Sequence, residues 1–224
     1  MKKIICLILA LVMSLACVFA LAACGDEPDP TPDGGDNTNK TPAIYGIVTG
    51  SAPTKIVTHV DYVDAQEEDL SGTYTMTIEG NNSIFEYVYK RYSTIEEGVA
   101  EDCGRIKTVE GTIYYKDGQY SFDGEEWGAE APTASDLKFN IDPEVLTNAT
   151  ISEDGCTLTA TLSKETALAV IGTDLSAEGD VSLVVETNGT YLTRVTIECV
   201  TASGGEMKIT TSYSYNPITL VFPD

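Results

Sequence analysis

The sequence is poor in histidine and in basic residues. Among 224 residues there is one histidine, His59, and 13 lysines and arginines stand against 35 aspartates and glutamates. A Ser-His-acid triad would have to use His59, and metal centres usually draw on several histidines or cysteines. The chain also lacks a GxSxG nucleophile motif and a glycine-rich phosphate loop. We therefore expect a non-catalytic protein without a metal or cofactor, in which His59 is an ordinary strand residue.

The acidic residues are too numerous for any pair of them to mark a catalytic site. With 35 acids, neighbours such as Glu125 and Glu126 arise by chance. A hydrolase that works through two carboxylates is the alternative class that this composition leaves open. The same excess of negative charge repels nucleic acid and anionic lipid headgroups, so no nucleic-acid partner is expected.

The longest apolar stretch lies at the start of the chain. Lys2 and Lys3 precede an uncharged run, Ile4–Ala23, and this is the pattern of a secretory signal. The run ends in four residues that resemble the lipobox of bacterial lipoproteins, namely Leu21, Ala22, Ala23 and Cys24. In that family the cysteine thiol receives a diacylglyceryl group and the chain is cut just before it. The resemblance implies that residues 1–23 are removed and that Cys24 carries the lipid.

A hydrophilic segment follows the lipobox. Residues 24–42 hold prolines and acids with almost nothing apolar to bury, so we expect a disordered tether. At ~3.1 Å per residue it reaches on the order of 55 Å. The protein is thus expected to be anchored through the lipid on Cys24 to the extracytoplasmic face of the cell membrane. An uncleaved transmembrane helix is the alternative, because 20 apolar residues can span a bilayer, although the acidic flank suits an exported side.

Cleavage would leave a strongly acidic chain with few cysteines. The mature protein would have 11 basic residues against 35 acids, a formal charge of −24. Its cysteines would be Cys103, Cys156 and Cys199, which allow at most one internal disulfide and contain no CxxC pair. Cys199 is in phase with apolar strand residues, so we expect it to be a buried thiol.

Residues 43–224 read as one domain dominated by β-strands. Apolar residues alternate with polar ones, as where Tyr74, Met76 and Ile78 share one face, and a further strand is expected at Lys55–Val63. Turn dipeptides separate the strands. Asp117-Gly118 and Asn188-Gly189 predict two-residue type I′ hairpins, and Gly204-Gly205 predicts another turn. A series of hairpins indicates an antiparallel sheet.

Helices are expected to be few and short. Ser163 can cap a helix that buries Leu168, Val170 and Ile171 and ends at Gly172. Other candidates are a helix with Asp142 as its cap, a weak helix with Thr41 as cap and Pro42 as first residue, and a turn of helix or an acidic loop over Thr94–Cys103.

The expected order is a short helix, four or five meandering strands, a crossover with a helix, and three or four closing strands. The segments GTIYYKDGQYSFDGEEW, LKFNIDPEVL and CTLTATLSKETALAVIG, with the last two hairpins, resemble in layout the curved-sheet carriers of the LolA/LppX-like superfamily. The resemblance implies a mainly β fold, a curved antiparallel meander sheet or half-barrel with a few short helices packed on it, holding apolar cargo. A β-sandwich is the alternative.

Aromatic residues are the candidates for ligand contact. Phe85, Tyr87 and Tyr89 alternate along one predicted strand, and a second group surrounds one hairpin: Tyr114, Tyr115, Tyr120, Phe122 and Trp127. These rings can serve core packing and cross-strand pairing, or they can form a binding face. The functional hypotheses are therefore a carrier or binder of an apolar ligand, a cell-surface module that binds a glycan or a protein, and a passive surface domain.

Overall fold

Ten strands form one antiparallel sheet. The structure, a computed structural model, describes residues 41–93, 104–128, 146, 148–171 and 175–223. The strands are β1 (Lys55–Val63), β2 (Gly72–Glu79), β3 (Asn82–Tyr92), β4 (Ile106–Lys116), β5 (Gln119–Ser121), β6 (Thr150–Ile151), β7 (Thr157–Leu162), β8 (Val181–Thr187), β9 (Leu192–Val200) and β10 (Glu206–Ser214). Their order across the sheet is β5-β4-β3-β2-β1-β10-β9-β8-β7-β6, which leaves the sheet open. The predicted antiparallel meander is confirmed, and the β-sandwich alternative is wrong because the described strands belong to one sheet.

The sheet consists of two meanders joined along one seam. Strands β1 to β5 follow one another on one side, and β6 to β10 do so on the other. The seam is the pairing of β1 with β10, which runs from Lys55 opposite Ser214 to Val63 opposite Glu206. The predicted strand Lys55–Val63 is confirmed with the same bounds. Chain-distant strands thus hold the two halves together.

Strand alternation gives the sheet a buried and a polar face. We call the buried one the inner face; it includes Ile56, Val60, Phe85, Leu158, Leu183, Val195, Ile197 and Ile209. The outer face carries the intervening residues, among them His59, Asp61, Thr73, Glu86, Glu198 and Lys208. Cys199 lies on the inner face with Val195 and Ile197, as predicted, and burial raises the pKa of its thiol.

Helix α1 (Ala43–Gly50) packs against β8 at the start of the domain. It buries Ile44, Tyr45 and Val48. The prediction of Thr41 as cap is wrong: Pro42 occupies the N-cap position, and no side chain caps the helix. At the other end, the Ser51 hydroxyl donates to the Ile47 carbonyl at 2.7 Å and accepts the Leu192 amide at 3.0 Å. Ser51 therefore ends the helix and joins it to β9.

Helix α2 (Lys164–Ile171) packs against β7, between β7 and β8 in the chain. Its predicted cap is confirmed, since the Ser163 hydroxyl accepts the Thr166 amide at 3.2 Å. The predicted burial of Leu168 is wrong, because this side chain is 49% exposed. The predicted burial of Val170 is confirmed, and Ala167, three residues before it, is buried with it; Leu168 lies about 100° around the helix from Ala167.

The predicted turns have two different outcomes. Asp117 and Gly118 have φ values of 53° and 80° between paired Lys116 and Gln119, which confirms the type I′ hairpin. At Asn188 the two-residue prediction is wrong, because the strands end at Thr187 and restart at Leu192. The Asn188 side-chain oxygen accepts the backbone amides of the second and third following residues, so the amide side chain itself organises a longer turn.

Several predictions lie outside the described residues. These are the lipobox with Cys24, residues 24–40 of the tether, the segment Thr94–Cys103, the start at Asp142 of another predicted helix, and the end of α2 at Gly172. Cys156 and Cys199 are free thiols. Within the described ranges, no helix has both the length and the hydropathy that crossing a bilayer requires.

Candidate functional site: an aromatic band on the inner face

Four aromatic rings lie together on the inner face of β2 and β3. Phe85, Tyr87 and Tyr89 follow one another along β3, with 5.9 Å between successive ring centroids. Tyr74 of β2 stacks against Phe85 at 6.3 Å and against Tyr89 at 6.2 Å. We call these four residues the aromatic band. Parallel and tilted rings at these distances attract each other and form one continuous apolar surface.

Two glycines make room for the tyrosine rings of the band. Gly72 pairs with Tyr89 across β2 and β3, and a Cβ atom at Gly72 would lie 2.6 Å from the Cβ of Tyr89. Gly111 pairs with Tyr87 across β3 and β4, and its Cβ would lie 2.4 Å from the tyrosine hydroxyl oxygen. The Tyr87 ring therefore lies over the backbone of β4, and β3 approaches β2 closely at Tyr89; a larger residue at either glycine would prevent this packing.

The band changes from buried to partly exposed along β3. Phe85 and Tyr74 are 0% and 1% exposed, so the sequence-predicted candidate Phe85 is a core residue. Tyr87 and Tyr89 are half-buried and are the two candidates whose edges a ligand could reach. Burial, with a smaller contribution from Tyr89, raises the pKa of Tyr74 well above its usual range. The Tyr74 ring is therefore uncharged at physiological pH.

The rest of the inner face is built differently. Aliphatic side chains such as Leu158, Leu183 and Val195 fill the half formed by β7 to β10. Both described helices pack there, α1 on β8 and α2 on β7. The aromatic band belongs to the other half, where Ile113 of β4 pairs with Phe85. Among the described residues, the helices therefore pack on one half of the sheet, and aromatic rings line the other half.

Sequence reasoning did not place Tyr74 in the band, although a signal for it exists. Glu79 and Asn82 are the last pair before the Gly80-Asn81 turn between β2 and β3. Because the register of a hairpin follows from its turn, counting back from that pair sets Tyr74 opposite Tyr87. The turn therefore predicts that Tyr74 is a cross-strand neighbour of Tyr87, which alternation along β3 alone cannot show.

The second aromatic group divides between the two faces. Tyr114 lies on the outer face with Phe222 at 6.3 Å, and Trp127 is 6.1 Å from the same ring. The Lys116 ammonium lies 5.4 Å from the Phe222 centroid. Phe122, 63% exposed, meets Tyr120 edge to face at 5.4 Å. The C-terminal segment thus uses Tyr114 and Trp127 for packing, a contact between chain-distant residues that local patterns did not indicate.

His59 lies exposed on the outer face in β1, as a strand residue. Its Nδ1 is 3.0 Å from the Thr73 hydroxyl oxygen. Within the described ranges, no group of three or more His, Cys, Asp or Glu side chains is arranged to hold a metal ion. His59 therefore has the environment of a cross-strand pair on a polar sheet face.

Hydrogen bonds lower the pKa of several carboxyl groups. Tyr92 donates to Asp64 at 2.5 Å, which lowers the pKa of Asp64 and raises that of Tyr92 to about 12. Lys90 binds Asp69 and lowers its pKa to about 2. Further carboxyls with lowered pKa values accept bonds within turns or at the start of α2: Asp123, Asp154 and Glu165. A general acid at neutral pH needs a raised pKa, so none of these five carboxyl groups suits that role.

Comparison with known proteins shows no family for this chain. No family model matches it, and neither does any curated protein. Among solved structures it is similar to a redesigned beta barrel, with 8% sequence identity and a TM-score of 0.21 over 79% of this chain and 99% of that one. A likeness at this level leaves function to be argued from the chain's own residues.

Proposed function

We propose that this chain is a membrane-anchored, extracytoplasmic bacterial lipoprotein whose β domain binds an apolar ligand without catalysing a reaction on it. The ligand contacts the exposed edges of the aromatic band, above all Tyr87 and Tyr89. The observation that carries the proposal is the division of the inner face. Both described helices pack on its aliphatic half, while the aromatic half presents stacked rings that are only half-buried at one end.

The chemistry of the band fits an apolar ligand better than a charged one. Rings of phenylalanine and tyrosine offer apolar area with a few hydroxyl groups at the edge, which suits apolar molecules carrying few polar groups. The chain has a formal charge of −22, yet none of the four residues in the band is an acid or a base. Burying apolar ligand surface there contributes roughly 25 cal/mol per Å².

The anchor and the layout support the same role. The lipobox-like residues Leu21, Ala22, Ala23 and Cys24 would place the domain beside a membrane, where apolar ligands are abundant. Carriers of the LolA/LppX-like superfamily, which the chain resembles in layout, also present a curved sheet to apolar cargo. A cell-surface module that recognises a glycan or a protein is the alternative role.

The ligand is tested by mass spectrometry of extracts from the purified domain. We expect residues 43–224, produced in bacteria, to carry an apolar molecule in stoichiometric amount. Tyr87→Ala should weaken the affinity for that molecule about tenfold and so lower the amount retained through purification, because it removes ring area worth on the order of 1.5 kcal/mol. Tyr191→Ala is the matched control, since Tyr191 is an exposed tyrosine stacked on Tyr215, away from the band. An empty wild-type domain, or equal loss in both variants, would contradict the proposal.

The anchor is tested separately at Cys24. Cys24→Ala should abolish acylation and block maturation, because the thiol that accepts the diacylglyceryl group is gone. The measurement is the intact mass of the protein from the membrane fraction and its partition into detergent. A variant that still lost residues 1–23 and still partitioned into detergent would show that the lipobox assignment is wrong.

A further inference from the structure

A recess of about 580 Å³ lies on the outer face, across the end of the seam between the two meanders. Strand register aligns Val63, Glu206 and Val200 side by side on β1, β10 and β9. The neighbouring row aligns Asp61, Lys208 and Glu198 in the same way. Asp180 and Ser182 complete the lining toward β8. We call this recess the valine groove.

The valine groove exposes apolar side chains on an otherwise polar face. Val63, the last residue of β1, is 43% exposed, and Val200, the last residue of β9, is 46% exposed. With strands about 4.8 Å apart, the two valines are roughly 10 Å from each other, separated by Glu206. The two valines offer apolar contact points within a charged surrounding, to which aliphatic side chains of another molecule can pack.

The charge of the groove defines what can occupy it. Four carboxylates line it, Asp61, Asp180, Glu198 and Glu206, against the single ammonium of Lys208. Lys208 binds Glu198 at 2.7 Å, and this bond, together with the charges of Glu198 and Asp61, raises its pKa. The lining therefore has a net charge of −3, and its one cation already has a carboxylate partner.

We propose that the valine groove docks a basic segment of another protein, in which lysine or arginine side chains stand next to aliphatic ones. The aliphatic side chains cover Val63 and Val200, and the cations lie beside Glu206 and Asp180. This interaction is independent of the ligand on the inner face. It would let the tethered domain bind a partner through the outer face while the inner face holds the ligand.

Other occupants fit the groove less well. A second copy of this chain carries a formal charge of −22 and would be repelled by the groove, as would nucleic acid or anionic lipid. In the described residues the acids are not arranged in a group that could hold a metal ion. A basic peptide segment satisfies both the carboxylates and the exposed valines.

The proposal is tested by fluorescence anisotropy with the full chain held in nanodiscs of neutral phosphatidylcholine. The probe is a short, labelled peptide of alternating lysine and valine, and the comparison peptide alternates glutamate and valine. We expect the lysine peptide to bind and the glutamate peptide not to bind. The affinity for the lysine peptide should fall as the salt concentration is raised. The double variant Asp180→Asn/Glu206→Gln should weaken binding about tenfold, and Val200→Thr about threefold.

Matched variants on the same face separate the groove from general attraction to an acidic protein. Glu86→Gln/Glu110→Gln removes two exposed carboxylates from β3 and β4, and Val88→Thr alters a valine that is also 46% exposed. Both should bind the lysine peptide as the wild-type chain does, and unchanged circular dichroism should show that all variants are folded. Absent binding, equal binding of the glutamate peptide, or equal losses in the groove and control variants would overturn the proposal.

Discussion

Gly72 shows how one residue can allow two paired strands to approach closely. A Cβ atom there would lie 2.6 Å from the Cβ of Tyr89 and 3.1 Å from both the Tyr89 Cα and the Val88 carbonyl oxygen. Two of these three neighbours are backbone atoms, so the strand itself would have to move. The glycine is therefore required by the close approach of β3 and by the packing of Tyr89 across β2.

Gly72→Ala should destabilise the domain, because two paired strands would have to separate to admit a methyl group. We expect a loss of about 1–3 kcal/mol in the free energy of unfolding. Gly46→Ala is the matched control: nothing lies within 4 Å of its Cβ position in α1, and the higher helix propensity of alanine should stabilise by up to about 1 kcal/mol. Urea denaturation measures both. A loss at Gly46 with none at Gly72 would refute this account of the packing.

Asp69 and Lys90 give the stability a defined dependence on pH. The hydrogen bond from Lys90 and two from Ser71 lower the pKa of Asp69 to about 2. Because the folded pKa is depressed, the contribution of the ionised carboxylate is present above about pH 4 and is lost as pH falls through about 2. Both side chains are about half exposed, so solvent screening keeps the contribution below about 1 kcal/mol.

Asp69→Asn should lower the thermal midpoint slightly at pH 7 and by less at pH 2, where about half of the wild-type carboxyl groups of the folded protein are protonated. Scanning calorimetry of the wild-type and variant proteins from pH 7 to pH 2 measures whether the difference in thermal midpoint shrinks as the pH falls. In a Lys90→Gln background, Asp69→Asn should lower the thermal midpoint by less at pH 7. A difference that stayed constant or grew toward pH 2 would show that another interaction is responsible.

At the scale of elements, the seam between β1 and β10 decides whether the two meanders form one sheet. Thr58 of β1 and Thr211 of β10 pair in register within it, and their hydroxyl oxygens are 3.0 Å apart. Both side chains are almost fully buried, at 1% and 2% exposure. Each hydroxyl therefore gives the other a hydrogen-bond partner that replaces the water lost on burial.

Thr58→Val should cost about 1–3 kcal/mol, because it leaves the buried Thr211 hydroxyl without this partner. The double variant Thr58→Val/Thr211→Val should be nearly as stable as wild type, since valine has the shape of threonine and no hydroxyl remains unsatisfied. Chemical denaturation of the four proteins in a double-mutant cycle measures the coupling. Strictly additive losses would mean that the two hydroxyls do not support each other.

Local patterns were sufficient for elements whose contacts are close in sequence. The alternation at Lys55–Val63 and the Ser163 cap were predicted because each depends on neighbouring residues. Leu168 was misplaced because the stripe of a short helix is set by the strand it packs on, here β7. The Asn188 turn was predicted too short because its side chain bonds two backbone amides. The seam could not be predicted, since Thr58 and Thr211 are distant in the chain and only folding brings them together.

At the scale of the whole molecule, the two faces of the sheet have separate chemistry. The inner face combines an aliphatic half under α1 and α2 with the aromatic band, whereas the outer face carries the charges and the valine groove. Alternation in the sequence predicted that faces would differ, and Phe85, Tyr87 and Tyr89 were predicted to share one. The sequence could not show that Phe85 is the buried end and Tyr89 an accessible one, because burial depends on packing across β2 and β4.

The central claim is that an apolar ligand lies on the aromatic band, and paramagnetic broadening tests it most directly. Stearic acid bearing a nitroxide is added to the methyl-labelled domain, and methyl signals are compared by NMR. Met76 and Ile113 flank Phe85 on the inner face, whereas Val88 lies on the outer face of the same strand. The account predicts stronger broadening of Met76 and Ile113 than of Val88, whose side chain lies across the sheet from the ligand. Equal broadening of all three, or broadening of Val88 alone, would contradict it.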